Sequence, residues 1–312
     1  MGQTDTMIGR TRVKENRQHK RRAFMDRLTP YLLLSPAMLL LGVMLVYPMI
    51  ATVFMSFWKW PYTDPSRIRF VGLDNYIRLF ADDETFMNSL WFTLRFTGVT
   101  ITLEFVVGLI GALVLDNLKF LRDLVRSIVI LPYMVAPIAV GLIWRLIWAR
   151  DFGIVNYGLR SLGIEPVNWL ADPTASFWAL VISETWRATP FVTLILLAGL
   201  STIPVEVMEA GRVDGGSRWQ IFRHITFPLL LPAVTIALVF ETIFKLRVFD
   251  LVFTLTGGGP GRATTPLGLL IQRTYFRDYE GGYSGAMAVV LLLLGAVVSW
   301  IYVKLVYREV EY

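Results

Sequence analysis

The sequence predicts an all-α membrane protein with six transmembrane helices and both chain ends on the cytosolic side. Three observations predict it. Of 312 residues, 55% are hydrophobic and 17% charged, with a mean hydropathy of +0.55. Ordinary soluble domains carry about 25% charged residues. The apolar residues gather into runs, such as 31–57 and 285–306, that match the ~20 residues needed to cross a bilayer core. The Lys and Arg residues between those runs are unevenly shared between the two sides, as cytosolic loops are favoured for positive charge.

Residues 1–29 carry eight Lys/Arg, at positions 10, 12, 14, 17, 20, 21, 22 and 27. The apolar run behind them is longer than the ~7–15 residues of a signal core, and no small-residue cleavage site ends it. The tail therefore reads as a retained cytosolic arm attracted to anionic headgroups. Residues 30–312 read as one transmembrane domain, with spans at 31–57, 89–115, 124–148, 175–200, 228–255 and 285–306. Placing both ends inside gives 16 Lys/Arg on the cytosolic side and 9 outside, which favours that orientation. Trp58, Trp60, Trp148, Trp169 and Trp178 fall at the outer span ends, as an interfacial belt would. No internal repeat is evident, against the repeated halves of many secondary transporters.

Composition excludes several chemistries. With no cysteine there is no disulfide framework, thiol catalysis or Cys-based zinc site. His19 and His224 are too few and too distant to make a metal centre, so no metal or cofactor is expected on the chain. The pI of about 9.6 reflects topology and not nucleic-acid binding. Gly257–Gly261 lacks the Gly-Lys-Ser/Thr of a phosphate loop and reads as a flexible external connector. Asp82-Asp83-Glu84 reads as an acidic helix start and not as a metal site.

The cytosolic segment 201–227 is the most informative stretch. It reads as two short helices joined by a tight turn. Pro204 suits a first helical turn, where its missing N–H has no intrahelical partner. Asp214-Gly215-Gly216 supplies the turn, and Ser217 with Gln220 has capping-box spacing. Trp219, Phe222, His224 and Ile225 give the second helix an aromatic and apolar face, and Pro228 opens the next span. By spacing alone this is either a docking surface or an amphipathic hairpin lying on lipid.

These residues carry a resemblance. Glu209-Ala210-Gly211, then Gly215, then Ile225, Thr226, Phe227 and Pro228 resemble the EAA signature of the membrane subunits of bacterial ABC importers. The spacing is met throughout; Gly211 and Phe227 depart from the usual Ala and Leu. Glycine in a helix costs about 1 kcal/mol relative to alanine, which implies a less rigid first helix. Phe70–Phe80 and Leu255–Gly268, with Tyr275, Phe276 and Gly282, resemble the carbohydrate branch, whose members include maltose, trehalose and glycerol-phosphate importers. The resemblance implies a type I importer permease fold in a bacterial inner membrane. It implies a second, homologous permease subunit, two cytosolic ATPase subunits that bind ATP and magnesium, an external solute-binding protein and a sugar substrate. This chain would then have no catalytic residue. Glu209, Ala210, Gly211, Asp214, Gly215, Phe222, Ile225 and Pro228 would form the ATPase-coupling helix, Gly215 permitting close backbone approach and Glu209 making a polar contact.

Charged residues inside spans usually face a bundle interior or a wet cavity, since each costs at least about 2.5–3.5 kcal/mol at mid-membrane. Glu104, Arg187, Glu241, Lys245 and Arg247 are therefore the candidate substrate pathway, with Arg95, Glu184 and Asp250 further out. Glu241 and Lys245 have the spacing of an intrahelical pair, and Glu104 with Arg187 could form an interhelical tie. Arg187, Lys245 and Arg247 would suit an anionic sugar. Two rivals remain. An ion-coupled secondary transporter would use Glu104 or Glu241 as its carrier site. A membrane glycosyltransferase would need clustered cytosolic acids, of which only Glu206, Glu209 and Asp214 are on offer.

Overall fold

The computed structural model describes residues 29–118 and 122–305; the expected basic tail, apart from Thr29, lies outside the described residues. The chain divides between Phe54 and Met55. The first unit is described as an apolar helix, part of α1 (Thr29–Ser56), with a π turn at Gly42–Val46. The second unit begins with a two-stranded antiparallel hairpin, β1 (Trp58–Lys59) and β2 (Arg69–Phe70). Next come α2 (Asp74–Ala81) and α3 (Glu84–Asn117), then the bent pair α4 (Leu124–Met134) and α5 (Pro137–Ile147). After these follow α6 (Ile154–Ser161), α7 (Pro173–Ser201), α8 (Val205–Val213) and α9 (Arg218–Leu246). The last described elements are α10 (Asp250–Leu255), α11 (Leu267–Phe276) and α12 (Gly281–Leu305).

Among the described residues five helices, α1, α3, α7, α9 and α12, are long and apolar enough to cross a bilayer, and the bent pair brings the number to six if taken as one span. The third expected span is thus not a straight rod. Its two halves meet at 90° because Pro137 forces the preceding Ala136 into an extended conformation (φ −57°, ψ 136°). The fifth span also differs from 228–255. α9 starts ten residues earlier, at Arg218, and stops at Leu246; residues 250–255 form a separate helix. It runs through Pro228 because the π turn at Phe222–Thr226 shifts the hydrogen-bond register just before the proline, with Phe227 N–H donating to the Phe222 carbonyl.

α3 and α7 run in the same direction and α9 runs back against them. Phe92 meets Phe177 near the starts of α3 and α7, and Gly108 meets Val192 further along. Glu184 of α7 meets Lys245 near the end of α9, whereas Gly199 meets Ala233 nearer its start. The 201–217 segment therefore caps one end of the bundle, and the β hairpin, α2 and α6 cap the other. One core, around Phe96, Trp148, Leu180 and Leu251, lies toward the hairpin end; another, around Leu196, Leu200 and Leu230, lies toward the 201–217 end. A third packs Leu79 and Phe86 against Leu267, Tyr283 and Met287.

Two expectations need correction at the hairpin end. Trp148 is not part of an interfacial belt. Trp148 is buried, its Nε1 donates to Ser183 Oγ at 3.1 Å, and its ring meets that of Trp169 at 4.8 Å. The Gly257–Gly261 loop is not a loose connector. Thr265 Oγ1 donates to the Gly258 carbonyl (3.0 Å), Thr264 Oγ1 to that of Gly259 (2.6 Å), and Arg273 to that of Gly257. At the same end α6 buries a polar side chain: Asn156 is fully buried beside the half-buried Val155 and exchanges hydrogen bonds with Arg150, Val167 and Trp169, while Ile154 and Tyr157, with the flanking Phe152 and Leu162, face outward. As expected, the acidic Asp82–Glu84 stretch starts a helix: Asp83 caps α3 through Phe86 N–H (2.9 Å) and also accepts from Tyr283 Oη (2.6 Å).

Candidate functional site

At the 201–217 end, local sequence builds a compact elbow. Pro204 is the N-cap of α8, in the extended conformation (φ −59°, ψ 135°). α8 closes with a Schellman motif: Gly216 N–H reaches the Gly211 carbonyl (3.0 Å) and Gly215 N–H the Arg212 carbonyl (3.1 Å). That motif needs a left-handed residue, and Gly215 supplies it with φ +81°. Ser217 and Gln220 complete the expected capping box in both directions. The second half of the elbow is not an isolated short helix, however, but the first turn of α9.

Ile225 folds back onto α8. A Cβ on Gly211 would sit 2.6 Å from Ile225 Cδ1, so the glycine standing for the family's alanine makes room for this contact. Thr226 Oγ1 donates to Met208 Sδ (3.5 Å), a second tie between α8 and the π turn. Phe222 stacks on Trp219 (5.6 Å) and meets Phe227 at a tilt (6.0 Å), and Pro228 lies inside α9. Glu209, Ala210 and Asp214 are exposed, and the Glu209 carboxylate has no intramolecular partner among the described residues. Val213 is 87% and Trp219 66% exposed, so large apolar groups stand out at the tip of the elbow. A Cβ on Gly215 would meet nothing within 4 Å.

The second constellation lies among α3, α7 and α9. Lys245 Nζ is 2.7 Å from Glu184 Oε1, 2.7 Å from Glu241 Oε2 and 3.0 Å from Glu104 Oε1. Glu184 is also gripped by Arg187, through Nε at 3.0 Å and Nη2 at 2.5 Å. The pairing expected between Glu241 and Lys245 is present. The tie drawn from Glu104 to Arg187 goes to Lys245 instead, because Arg187 folds back three residues along its own helix. Glu104 and Lys245 are sealed, at 0% and 1% exposure. Glu184, Arg187, Glu241 and Arg247 line an adjacent cavity of about 450 Å³, with Tyr133 and Phe244 supplying aromatic walls. Arg187 also lies over the Tyr133 ring (5.8 Å). Thus Arg187, Glu241 and Arg247 reach the cavity, whereas Glu104 and Lys245 stand behind its wall.

Residues 104–310 match the family described as the binding-protein-dependent transport system inner membrane component. The chain belongs to this family. It is 38% identical over 275 residues to the trehalose/maltose transport system permease protein MalF of Thermococcus litoralis, the match spanning 88% of this chain and 92% of the relative. It is 36% identical over 282 residues to the sulfoquinovosyl glycerol transport system permease protein SmoG of Agrobacterium fabrum, over 90% and 91% of the two chains. Its fold is that of a chain in the crystal structure of a bacterial ABC transporter involved in the import of the acidic polysaccharide alginate. The TM-score is 0.80 at 23% identity, covering 94% of this chain and 100% of the other.

As a transport-system inner membrane component, the chain is a multi-pass permease subunit and not the ATPase. Two residues of the cluster and its adjoining cavity escaped prominence in the sequence. Glu184 is the hub that joins Arg187 to Lys245, and its i,i+3 spacing from Arg187 was the available signal. Tyr133 reaches the cavity only because α4 and α5 are bent, which no local pattern announces.

Proposed function

We propose that this chain is one of two homologous permease subunits of an importer for a sugar or sugar derivative, driven by two cytosolic ATPase subunits and fed by an external binding protein. The observation that carries the reading is the elbow at Gly215. It is rigidly closed by its Schellman motif and capping box, it joins the ends of α7 and α9, and it presents Val213 and Trp219 outward. Exposed apolar anchors on a rigid support are what a protein partner's cleft requires. Glu209, Ala210, Gly211, Asp214, Gly215, Phe222, Ile225 and Pro228 build that elbow, with the free Glu209 carboxylate offering a polar contact at its rim. This end faces the cytosol, both chain ends lie on the same side, and 30–312 is a single permease domain preceded by a cytosolic basic tail.

The solute passes along the cavity beside Arg187, Glu241 and Arg247. Tyr133 and Phe244 offer ring faces, and the charged groups offer hydrogen bonds for hydroxyls, the mixture that suits a saccharide. The substrates named for the relatives, trehalose or maltose and sulfoquinovosyl glycerol, support that class. Of the three cations that could answer an anionic sugar, Lys245 and Arg187 are committed to carboxylates, and Arg247 is the one among the described residues left facing the cavity.

The test is reconstitution in vesicles. The chain with its partner permease, ATPase subunits and liganded binding protein accumulates labelled sugar only when ATP is supplied. Accumulation by the chain alone on a sodium or proton gradient would overturn the proposal.

A further inference from the structure

Lys245 and Glu104 are too enclosed to meet solute, and the cluster they form with Glu184 and Glu241 is too expensive to serve stability alone. It gathers three carboxylates from three helices, Glu104 on α3, Glu184 on α7 and Glu241 on α9, around one ammonium that is 1% exposed. With Arg187 included, the cluster sets three carboxyl groups against two cationic side chains. Both oxygens of Glu104 and Glu241 Oε1 are buried without a hydrogen bond. Buried ion clusters commonly stabilise less than apolar residues of the same volume, because desolvation cancels the Coulomb gain. A role other than stability is called for.

Position supplies one. α7 enters the elbow at Ser201 and α9 leaves it, so the two helices are the arms of a single hairpin. Glu184 lies 17 residues from Ser201, about 26 Å along the helix at ~1.5 Å per residue. Between elbow and cluster the arms touch closely, where a Cβ on Gly199 would lie 2.9 Å from Leu230. α3 joins them at Gly111, whose Cβ would lie 3.2 Å from Thr193. At the far end nothing covalent holds the arms together; the Lys245 ammonium does so by ion pairing, and adds α3.

We propose that Lys245 is a positioning residue for coupling. It clamps the far ends of α7 and α9 to each other and to α3, so that a displacement applied at Gly215 swings three helices as one body and reshapes the cavity that Glu184 and Glu241 line. Without the clamp the arms splay, and motion at the elbow is spent before it reaches the cavity. This rests on the coupling role proposed for the elbow.

The experiment uses the complete transporter in vesicles and reads sugar taken up per ATP hydrolysed. The variant E104L/E241Q/K245M removes the clamp, keeps a polar amide where Glu241 lines the cavity, and leaves the electrically neutral Glu184–Arg187 pair, so a charge-balanced interior is retained. It assembles, still hydrolyses ATP, and takes up at least tenfold less sugar per ATP. E104Q is the milder companion. It keeps the shape of the carboxylate, leaves Lys245 with two partners, and lowers uptake per ATP two- to threefold.

Wild-type uptake per ATP in the triple variant overturns the clamp. So does a loss confined to a raised KM for sugar at unchanged uptake per ATP, since that marks solute contacts. If the triple variant does not assemble, an unchanged ratio in E104Q overturns it instead. The parent reading fails separately: it falls if, in the wild-type transporter, liganded binding protein does not accelerate hydrolysis.

Discussion

Gly215 offers the sharpest test of the elbow, because the structure separates two reasons for its being glycine. Its φ of +81° lies in the left-handed region, where any other L-residue costs roughly 1–2 kcal/mol. That cost lowers the population of the closed turn about 5–30-fold. The cost falls almost equally on alanine and tryptophan, since no atom of the chain lies within 4 Å of the Cβ position. In the isolated subunit G215A and G215W should therefore differ in stability by less than about 0.5 kcal/mol, the range of ordinary surface substitutions. In the assembled transporter they should differ widely. An ATPase cleft that closes around the turn accepts a methyl group and rejects an indole. The assay is ATP-driven sugar uptake into vesicles, with retention of the ATPase subunits on the tagged permease measured in parallel. G215A should keep a measurable fraction of uptake, and G215W should take up at least tenfold less than G215A while retaining less ATPase. Equal uptake and equal retention for the two would refute the idea that this open space belongs to a partner.

Other perturbations test the fold that supports these sites. Asn156→Ala removes four hydrogen bonds of 2.9–3.1 Å from a buried position, each worth about 0.5–1.5 kcal/mol, and should lower stability by roughly 2–6 kcal/mol; thermal unfolding in detergent reads it, and an unchanged midpoint would contradict the assigned network. Tyr283→Phe deletes the hydroxyl held by Asp83 and should cost about 1.5–3 kcal/mol, the range for a bond to a charged acceptor. A double-mutant cycle with Asp83→Ala should show coupling, and additivity would show that the contact is not made. Ser217→Ala should destabilise the elbow by about 0.5–2 kcal/mol through loss of its cap, seen as faster amide exchange at Gln220 with the transmembrane helices unaffected.

Much of this architecture was legible in the sequence because its causes are local. An uncharged run of bilayer length declares a span, and the spacing of Ser217 to Gln220 or Glu241 to Lys245 declares a cap or a pair. What stayed hidden depends on residues distant in sequence. The break at Pro137 takes a 90° angle that packing against α7 and α10 accommodates and no local pattern specifies. Pro228 looked like a helix start, and only the π turn ahead of it explains why the helix passes through. Trp148 had the position of an interfacial residue, yet Ser183, 35 residues away, gives its N–H a buried partner. For the same reason Glu104 found Lys245 and not Arg187: the match between α3 and α9 is set by helix packing, which spacing within either helix does not encode.

The outer face of α6 ties this region to its solvent. With the amide of Asn156 sealed inside and Ile154 and Tyr157 outside, much of the outer face of the helix suits acyl chains or detergent tails, while Arg160 and Ser161 at its end keep to water. The hydrogen bonds of Asn156 hold the segment's shape, while the surrounding amphiphile decides whether that shape is worth keeping. Changing the detergent should thus shift the melting of this corner more than that of the hairpin beside it, making α6 a built-in reporter of how faithfully a given micelle imitates a membrane.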